Sequence, residues 1–295
     1  MPDRVTARAH AKTNLFLRVL AREESGYHTL ETLFTLLELH DTLTVERAEG
    51  GITVAVDGAD TGPVERNLVY RAAEMVLEAT GRRFGVRIHL EKRIPMQAGL
   101  GGGSSDGAAA LHAVNRLADD AAPHHELLQF AARLGADVPF FASGAPMALA
   151  WGRGERLYRI IPPKTAPALI AVPAFGVATA EAYQALAAAR QTNSARGSVV
   201  LDATAFETWG GIGRLGGNDF EPVIFGKFPE LKGTFERIAA TGPFLVRLSG
   251  SGSALVAVYR DERARDGAKM EVAGKGVTLI PTATRGVAVE GPETG

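Results

Sequence analysis

Strand-like patterns dominate the first ninety residues. Alternating or β-branched apolar positions over Val5–Ala11, Leu15–Leu20, Leu43–Arg47, Ile52–Val56 and Val86–Leu90 predict five strands. Helical spacing then intervenes. Leu68, Val69, Ala72, Ala73, Val76 and Leu77 lie on one face of a helix that Asn67 can cap and Gly81 can close. Ala108, Leu111, Val114, Asn115 and Leu117 define a second helix, and His125 to Leu134, ended by Gly135, a third. Three prolines between Pro162 and Pro167 mark a junction, after which the pattern restarts. Beyond it the sequence predicts a strand at Leu169–Val172 and helices at Ala180–Arg190 and Pro229–Ala240. Strands at Phe244–Leu248 and Ala254–Tyr259 flank the turn Ser249–Ser253. The tail past Glu290 is expected to be mobile.

Length and composition narrow the possibilities. A chain of 295 residues with 46% apolar content can bury a large core, and it predicts two domains, 1–160 and 161–290. A net charge of −1 with interspersed signs leaves no electrostatic footprint for nucleic acid or an anionic membrane, so a small-molecule partner is expected. The absence of cysteine removes disulfides, thiolate metal sites and cysteine nucleophiles, and fits a cytoplasmic setting. The longest apolar stretch, Ala166–Ala180, is interrupted by Pro167, Pro173 and Gly176 and is too short to span a bilayer. The N-terminus alternates as a strand does and is assigned to the fold rather than to a targeting peptide. Monomer and homodimer are equally open.

Chemistry concentrates at Pro95–Ser105, read P-M-Q-A-G-L-G-G-G-S-S. Gly99, Gly101, Gly102 and Gly103 free the backbone for conformations closed to other residues, and Ser104 offers a hydroxyl at a helix start. Peptide N–H groups and the positive end of the helix can then converge on a phosphate. A structural turn needs one or two glycines, not four in five residues. No Walker A sequence is present. A literal G-x-G-x-x-G does occur at Gly211, Gly213 and Gly216, but no strand precedes it, so a flexible loop is expected there.

This block resembles the glycine-serine loop of the GHMP kinases, P-x-x-x-G-L-G-[GS]-[GS]-S-[SA], throughout its length. Four further stretches resemble the branch of that superfamily acting on a cytidylyl sugar alcohol: A-K-T-N-L-F-L at Ala11–Leu17, S-G-Y-H-T-L-E-T-L-F at Ser25–Phe34, G-A-D-V-P-F-F at Gly135–Phe141 with G-R-G-E at Gly152–Glu155, and S-G-S-G-S-A at Ser249–Ala254. Thr13 and Gly107 depart from the pattern without removing a reactive group. The resemblance implies an α+β, two-domain GHMP kinase fold, with a ribosomal-protein-like α/β N-terminal domain and a ferredoxin-like α+β C-terminal domain. It also implies an ATP-dependent small-molecule kinase using Mg²⁺.

The same resemblance distributes roles. Lys12 and Asp137 become a catalytic pair, the aspartate accepting the hydroxyl proton and the lysine holding it ionised, with Asn14 beside them. Taken alone, Asp137 would be a cap and Lys12 a solvated strand residue. Pro95, Met96, Gln97, Ala98, Gly99, Leu100, Gly101, Gly102, Gly103, Ser104 and Ser105 are expected to bind ATP, with Ser105 as a metal ligand. Asn67 is at the least a helix cap and a candidate contact for the adenine end. Tyr27 and His28 are assigned to the cytidine end and Tyr183 to its other face. The Ser249–Ser253 turn is read equally as a structural turn and as an N–H donor to acceptor phosphates. The remaining histidines, His10, His40, His89, His112, His124 and His125, show no metal-ligand spacing. Two alternatives stand beside this reading: a homoserine- or mevalonate-type kinase, and a nucleotide-binding sensor without turnover.

Overall fold

The computed structural model describes residues 2–22, 28–58, 60–81, 83–192, 201–274, 276–287 and 291–294. Its first sheet is built on two long antiparallel strands, β1 (Arg4–Arg22) and β2 (His28–Ala48). The two strands expected at the N-terminus are thus one, bent at irregularities between His10 and Lys12 and between Asn14 and Phe16. Most of β2 was not predicted, and the reason is physical. Leu30, Leu33, Phe34, Leu36 and Leu37 are all buried, but Phe34 and Leu36 join one core while Leu33 and Leu37 join two others. A strand covered on both faces loses alternation and imitates helical spacing.

β3 (Ile52–Asp57), α1 (Leu68–Ala79) and β4 (Gly85–Glu91) form a crossover unit with β3 and β4 parallel. α2 (Gly102–Leu117), α3 (His124–Leu134) and the unpredicted α4 (Val138–Ala142) follow. These four helices and one face of the sheet share a core that includes Val45, Val76, Ile88, Leu111, Phe130 and Phe140. β5 (Met147–Gly152) pairs with the N-terminal half of β2 while β4 pairs with its C-terminal half, and β6 (Arg156–Arg159) pairs with β5.

A second sheet begins at β7 (Pro167–Pro173). It is followed by α5 (Thr179–Thr192), α6 (Trp209–Gly213), α7 (Glu221–Lys227) and α8 (Pro229–Ala240), then β8 (Leu245–Leu248), β9 (Leu255–Val258), α9 (Glu262–Val272) and β10 (Val277–Ala283). The strand order is β10-β7-β9-β8, antiparallel throughout. The G-x-G-x-x-G segment is not a flexible loop. It begins within α6, where a Cβ on Gly211 would lie 2.4 Å from Ala205 O and one on Gly213 2.5 Å from Phe244 O, so those glycines serve close backbone packing. The tail is also built in, since β11 (Glu293–Thr294) pairs with β1. Among the described residues no helix is long and apolar enough to cross a membrane.

The two sheets are joined by continuous packing. Ala11, Leu37, Ile94, Ala98 and Leu100 of the first meet Ala168, Ile170, Ala254 and Val256 of the second. Leu17 and Val19, at the far end of β1, enter the second core beside Phe220 and Leu248. Asn218 fastens this seam. Buried, it donates from Nδ2 to Leu248 O at 2.8 Å and Gly250 O at 2.6 Å, and its Oδ1 accepts from Phe220 N. Asn218→Ala strands three buried backbone groups, and chemical denaturation is expected to register a loss of roughly 2–4 kcal/mol.

Candidate active site

A cleft of about 510 Å³ opens between the two sheets. One wall is the glycine segment. Gly99 and Gly101 take left-handed backbone (φ 76 and 72), and Gly101 is the N-cap of α2. Gly102 and Gly103 are already helical, so their small size, not their φ, matters. A Cβ on Gly102 would sit 3.2 Å from Lys92 Nζ, whereas the Gly103 position faces open space in the cleft, where a phosphate can approach the backbone. The N-terminus of a sixteen-residue helix therefore points at an accessible surface without side chains in front of it. A nucleotide triphosphate fits this cradle.

The expected serine roles need correction. Both serines lie inside the first turns of α2 rather than before it. Ser104 lines the cleft, but Ser105 is buried on the other side of the helix and lines a separate cavity, so the geometry places it away from any metal in the cleft. Pro95, Met96, Gln97, Ala98 and Leu100 all line the cleft, as does Asn67, whose Oδ1 caps α1 by accepting from Val69 N at 2.9 Å.

Beside the glycine segment, whose Leu100 O accepts from Lys12 N at 2.9 Å, β1 presents Lys12 and Asn14. Lys12 is no solvated strand residue. It is 3% exposed, its Nζ donates to Asn14 Oδ1 at 2.8 Å and lies 3.3 Å from Asp137 Oδ2, and its chain passes against Phe34. Asp137 stands at the start of α4 without capping it through its side chain, and that side chain is one-third exposed to the cleft. Asn14 Oδ1 also accepts from Gly250 N at 2.9 Å, and its Nδ2 donates to Thr32 Oγ1. The Ser249–Ser253 turn is thus drawn to the cleft, where Gly250 and Ser251 line it. Ser249 Oγ donates to Gly99 O, tying the turn to the glycine segment as well.

Tyr183 of α5 lines the same cleft, edge-on to Phe220 at 4.9 Å. Burial, and secondarily the Asp137 carboxylate, push its hydroxyl up to about 12, so the phenol stays neutral. Tyr27 lies outside the described residues, as does the side chain of His28; the His28 backbone opens β2.

One cluster escaped the sequence reading. Lys92, just after β4, is buried between Asp41 of β2 and Asp106 of α2, bonded to both, with Nζ 2.7 Å from Asp106 Oδ2. Asp41 also accepts from the backbone N–H of Arg93 and Ile94, which sets the path into the glycine segment. Burial raises the Asp106 carboxyl to about 7, with Lys92 opposing and Asp41 adding to the rise. Two carboxylates sharing one ammonium do not both ionise easily. Lys92 and Asp106 line the cleft beside Gly102. No motif signals the cluster, because its members stand 51 and 14 residues apart in the chain.

Fold and cleft define the class: these are the two halves of a GHMP kinase. Residues 67–145 match the GHMP kinases N terminal domain and residues 202–277 the GHMP kinases C terminal domain. Within that class the chain belongs to the 4-diphosphocytidyl-2-C-methyl-D-erythritol kinase family. It is 41% identical over 258 residues to the kinase of that name from Pelotomaculum thermopropionicum, covering 87% of this chain and 90% of that protein. It is 38% identical over 291 residues to the one from Nitratidesulfovibrio vulgaris, covering 95% and 98%. The crystal structure of a 4-(cytidine 5'-diphospho)-2C-methyl-D-erythritol kinase superposes with a TM-score of 0.79 at 37% identity, covering 95% of this chain and 98% of that one. A homoserine kinase from Cytophaga hutchinsonii shares the fold, with a TM-score of 0.68 at 19% identity over 99% of this chain and 98% of that one.

Two predictions follow from the cleft's geometry. A Cβ on Gly99 would fall 2.0 Å from Ser249 O at a left-handed φ, so Gly99→Ala is expected to lower the unfolding temperature markedly, while Gly103→Ala, in open space, leaves it unchanged or slightly raised. The Asp106 carboxyl lies above its unfolded value of 3.8, so the folded state retains the proton from about pH 4 to 7 and this group's contribution to stability falls as pH rises through that window. Thermal unfolding across a pH series should show Asp106→Asn gaining on the parent protein between about pH 4 and 7 and no further above it.

Proposed function

We propose that this protein transfers the γ-phosphoryl group of ATP to the 2-hydroxyl of 4-diphosphocytidyl-2-C-methyl-D-erythritol, a step of the non-mevalonate (MEP) route to isoprenoids. The observation that carries this reading is the Lys12–Asp137 ion pair at 3.3 Å, held in the same cleft as the glycine segment by Asn14.

Phosphoryl transfer asks a protein for alignment, neutralisation of charge and a place for the hydroxyl proton. Peptide N–H groups at the start of α2 meet the triphosphate, with Gly103 leaving room for it to reach the backbone. Asp137, with a third of its side chain open to the cleft, accepts the proton of the acceptor hydroxyl. Lys12 orients that carboxylate and adds positive charge where negative charge collects on the transferring group. Asn14 and Phe34 hold the lysine in one position. Tyr183 bounds the acceptor side of the cleft, and the S-G-Y-H-T-L-E-T-L-F block supports Tyr27 and His28 as the cytidine contacts.

Mg²⁺, when bound, neutralises phosphate charge. Among the described residues no group of three or more acidic or histidine side chains forms a metal cage, which suits an ion that arrives on the nucleotide and keeps much of its water. Ser104, which lines the cleft at the start of α2, would offer a hydroxyl to such an ion.

A coupled ADP-release assay offering the cytidylyl acceptor beside homoserine and mevalonate tests the reading. Turnover is expected with the cytidylyl acceptor alone, and turnover only with another alcohol would overturn the assigned substrate. Asp137→Asn should lower kcat by roughly 10²–10⁴-fold with ATP affinity retained, and near-normal turnover would remove Asp137 as the base. Gly103→Ala, by contrast, is expected to weaken ATP binding while the fold persists.

A further inference from the structure

Away from the cleft, two adjoining cavities open along β1. One, about 300 Å³, is lined by Arg8, His10, His40, Arg285 and the rim residue Glu293. The other, about 140 Å³, runs behind α2 and α4 and is walled chiefly by Ala7, Ala108, Ala109, Phe141 and Ala142. They share Ala7, Arg8, His10 and Gly291, and neither shares a lining residue with the catalytic cleft.

The polar chamber combines buried His10 and Arg285 with half-buried His40 and exposed Arg8. Arg285 is 6% exposed; its Nη1 bonds Glu38 at 2.9 Å, but its Nε is buried with no partner. His10, 4% exposed, is the cross-strand neighbour of His40, with ring centroids 5.2 Å apart. Both rings give Nδ1–H to a backbone carbonyl, His10 to Leu37 at 3.0 Å and His40 to Glu38 at 2.7 Å. A carbonyl only accepts, so in each ring Nδ1 carries the hydrogen. Arg8 stands exposed at the entrance.

Two fixed guanidinium groups beside two imidazoles repel a metal cation and attract an oxyanion. The acidic groups facing the chamber are Glu38, already engaged by Arg285, and Glu293, exposed at the rim where solvent screens it. Burial first, then Arg285, His40 and Arg8, depress the His10 imidazole to about 3, so an incoming dianion would reverse part of that repulsion and draw a proton onto the ring. The chamber next door shares Arg8 and His10 at its mouth, while deeper in His112 and Ser143 are engaged with the carbonyls of Ala142 and Phe140, leaving mainly alanine and phenylalanine surface that fits a few carbons.

We propose that these paired cavities bind a small phosphorylated molecule with a short hydrocarbon tail, its phosphate between Arg8 and Arg285 and its tail behind α2. This site is independent of the reading of the cleft.

The test is a titration of the full chain, its cleft filled by a non-hydrolysable ATP analogue, with inorganic diphosphate and with isopentyl diphosphate, following the ring signals of His10 and His40 by NMR. Both ligands are expected to shift the ring signals saturably, with the isopentyl ester binding roughly tenfold tighter or more. Arg8→Ala, at an exposed position, should weaken both roughly tenfold, and Arg8→Lys should restore part of the loss. Unmoved ring signals, shifts indifferent to Arg8→Ala, or shifts produced by Zn²⁺ and not by diphosphate would each overturn the site. Equal affinity for the two ligands would overturn the assignment of the tail.

Discussion

One amide holds the working geometry together. Asn14 Oδ1 takes a hydrogen bond from the Lys12 ammonium and another from the Gly250 N–H, while its Nδ2 is spent on Thr32. Thr32 in turn donates to Phe16 O, which locks β1 to β2 at the bend. A side chain 1% exposed therefore joins Lys12 to a turn of the second sheet more than two hundred residues away. In so dry a setting each of these bonds is strong, and leaving any one unmade is costly. The separation of the two sheets, and with it the width of the cleft, depends on this junction.

Charge burial is handled differently at the cleft's two lysines. Lys12 faces the Asp137 carboxylate, which keeps contact with solvent in the cleft. Lys92 is enclosed by two carboxylates that do not reach full ionisation together. Its role is architectural: Asp41 grips both the ammonium and the backbone leading into the glycine segment, so that segment is supported by an ion cluster. Pairs of this kind cost desolvation energy and stabilise chiefly by specifying one arrangement.

The glycine segment shows how one stretch meets unlike demands. Gly99 is required by the second sheet, whose Ser249 carbonyl leaves no room for a Cβ. Gly101 turns the chain into α2, Gly102 lets Lys92 pass close by, and Gly103 leaves the cleft side bare. Only the last of these concerns a ligand directly. The density of glycine that signals function in the sequence is therefore partly a packing requirement between two domains.

Local chemistry made much of this legible from residues alone. The Asn67 cap, the helices ending at Leu117 and Leu134, the α8 span and the β8–β9 hairpin follow from short-range periodicity and capping, and they form where they were expected. The backbone turn of the glycine segment was legible for the same reason, since its conformational demands are written in consecutive residues. Lys12 and Asp137 needed the resemblance, for neither is distinctive by itself. What only the tertiary structure decided is whatever depends on two faces or two distant segments. It made β2 a strand buried on both sides despite helical spacing, turned Ser105 away from the cleft, and wrapped Asp41 and Asp106 around Lys92. Sequence reports a residue's preference among its neighbours along the chain, whereas burial on a second face and the meeting of charges across the fold exist only once the chain has closed on itself.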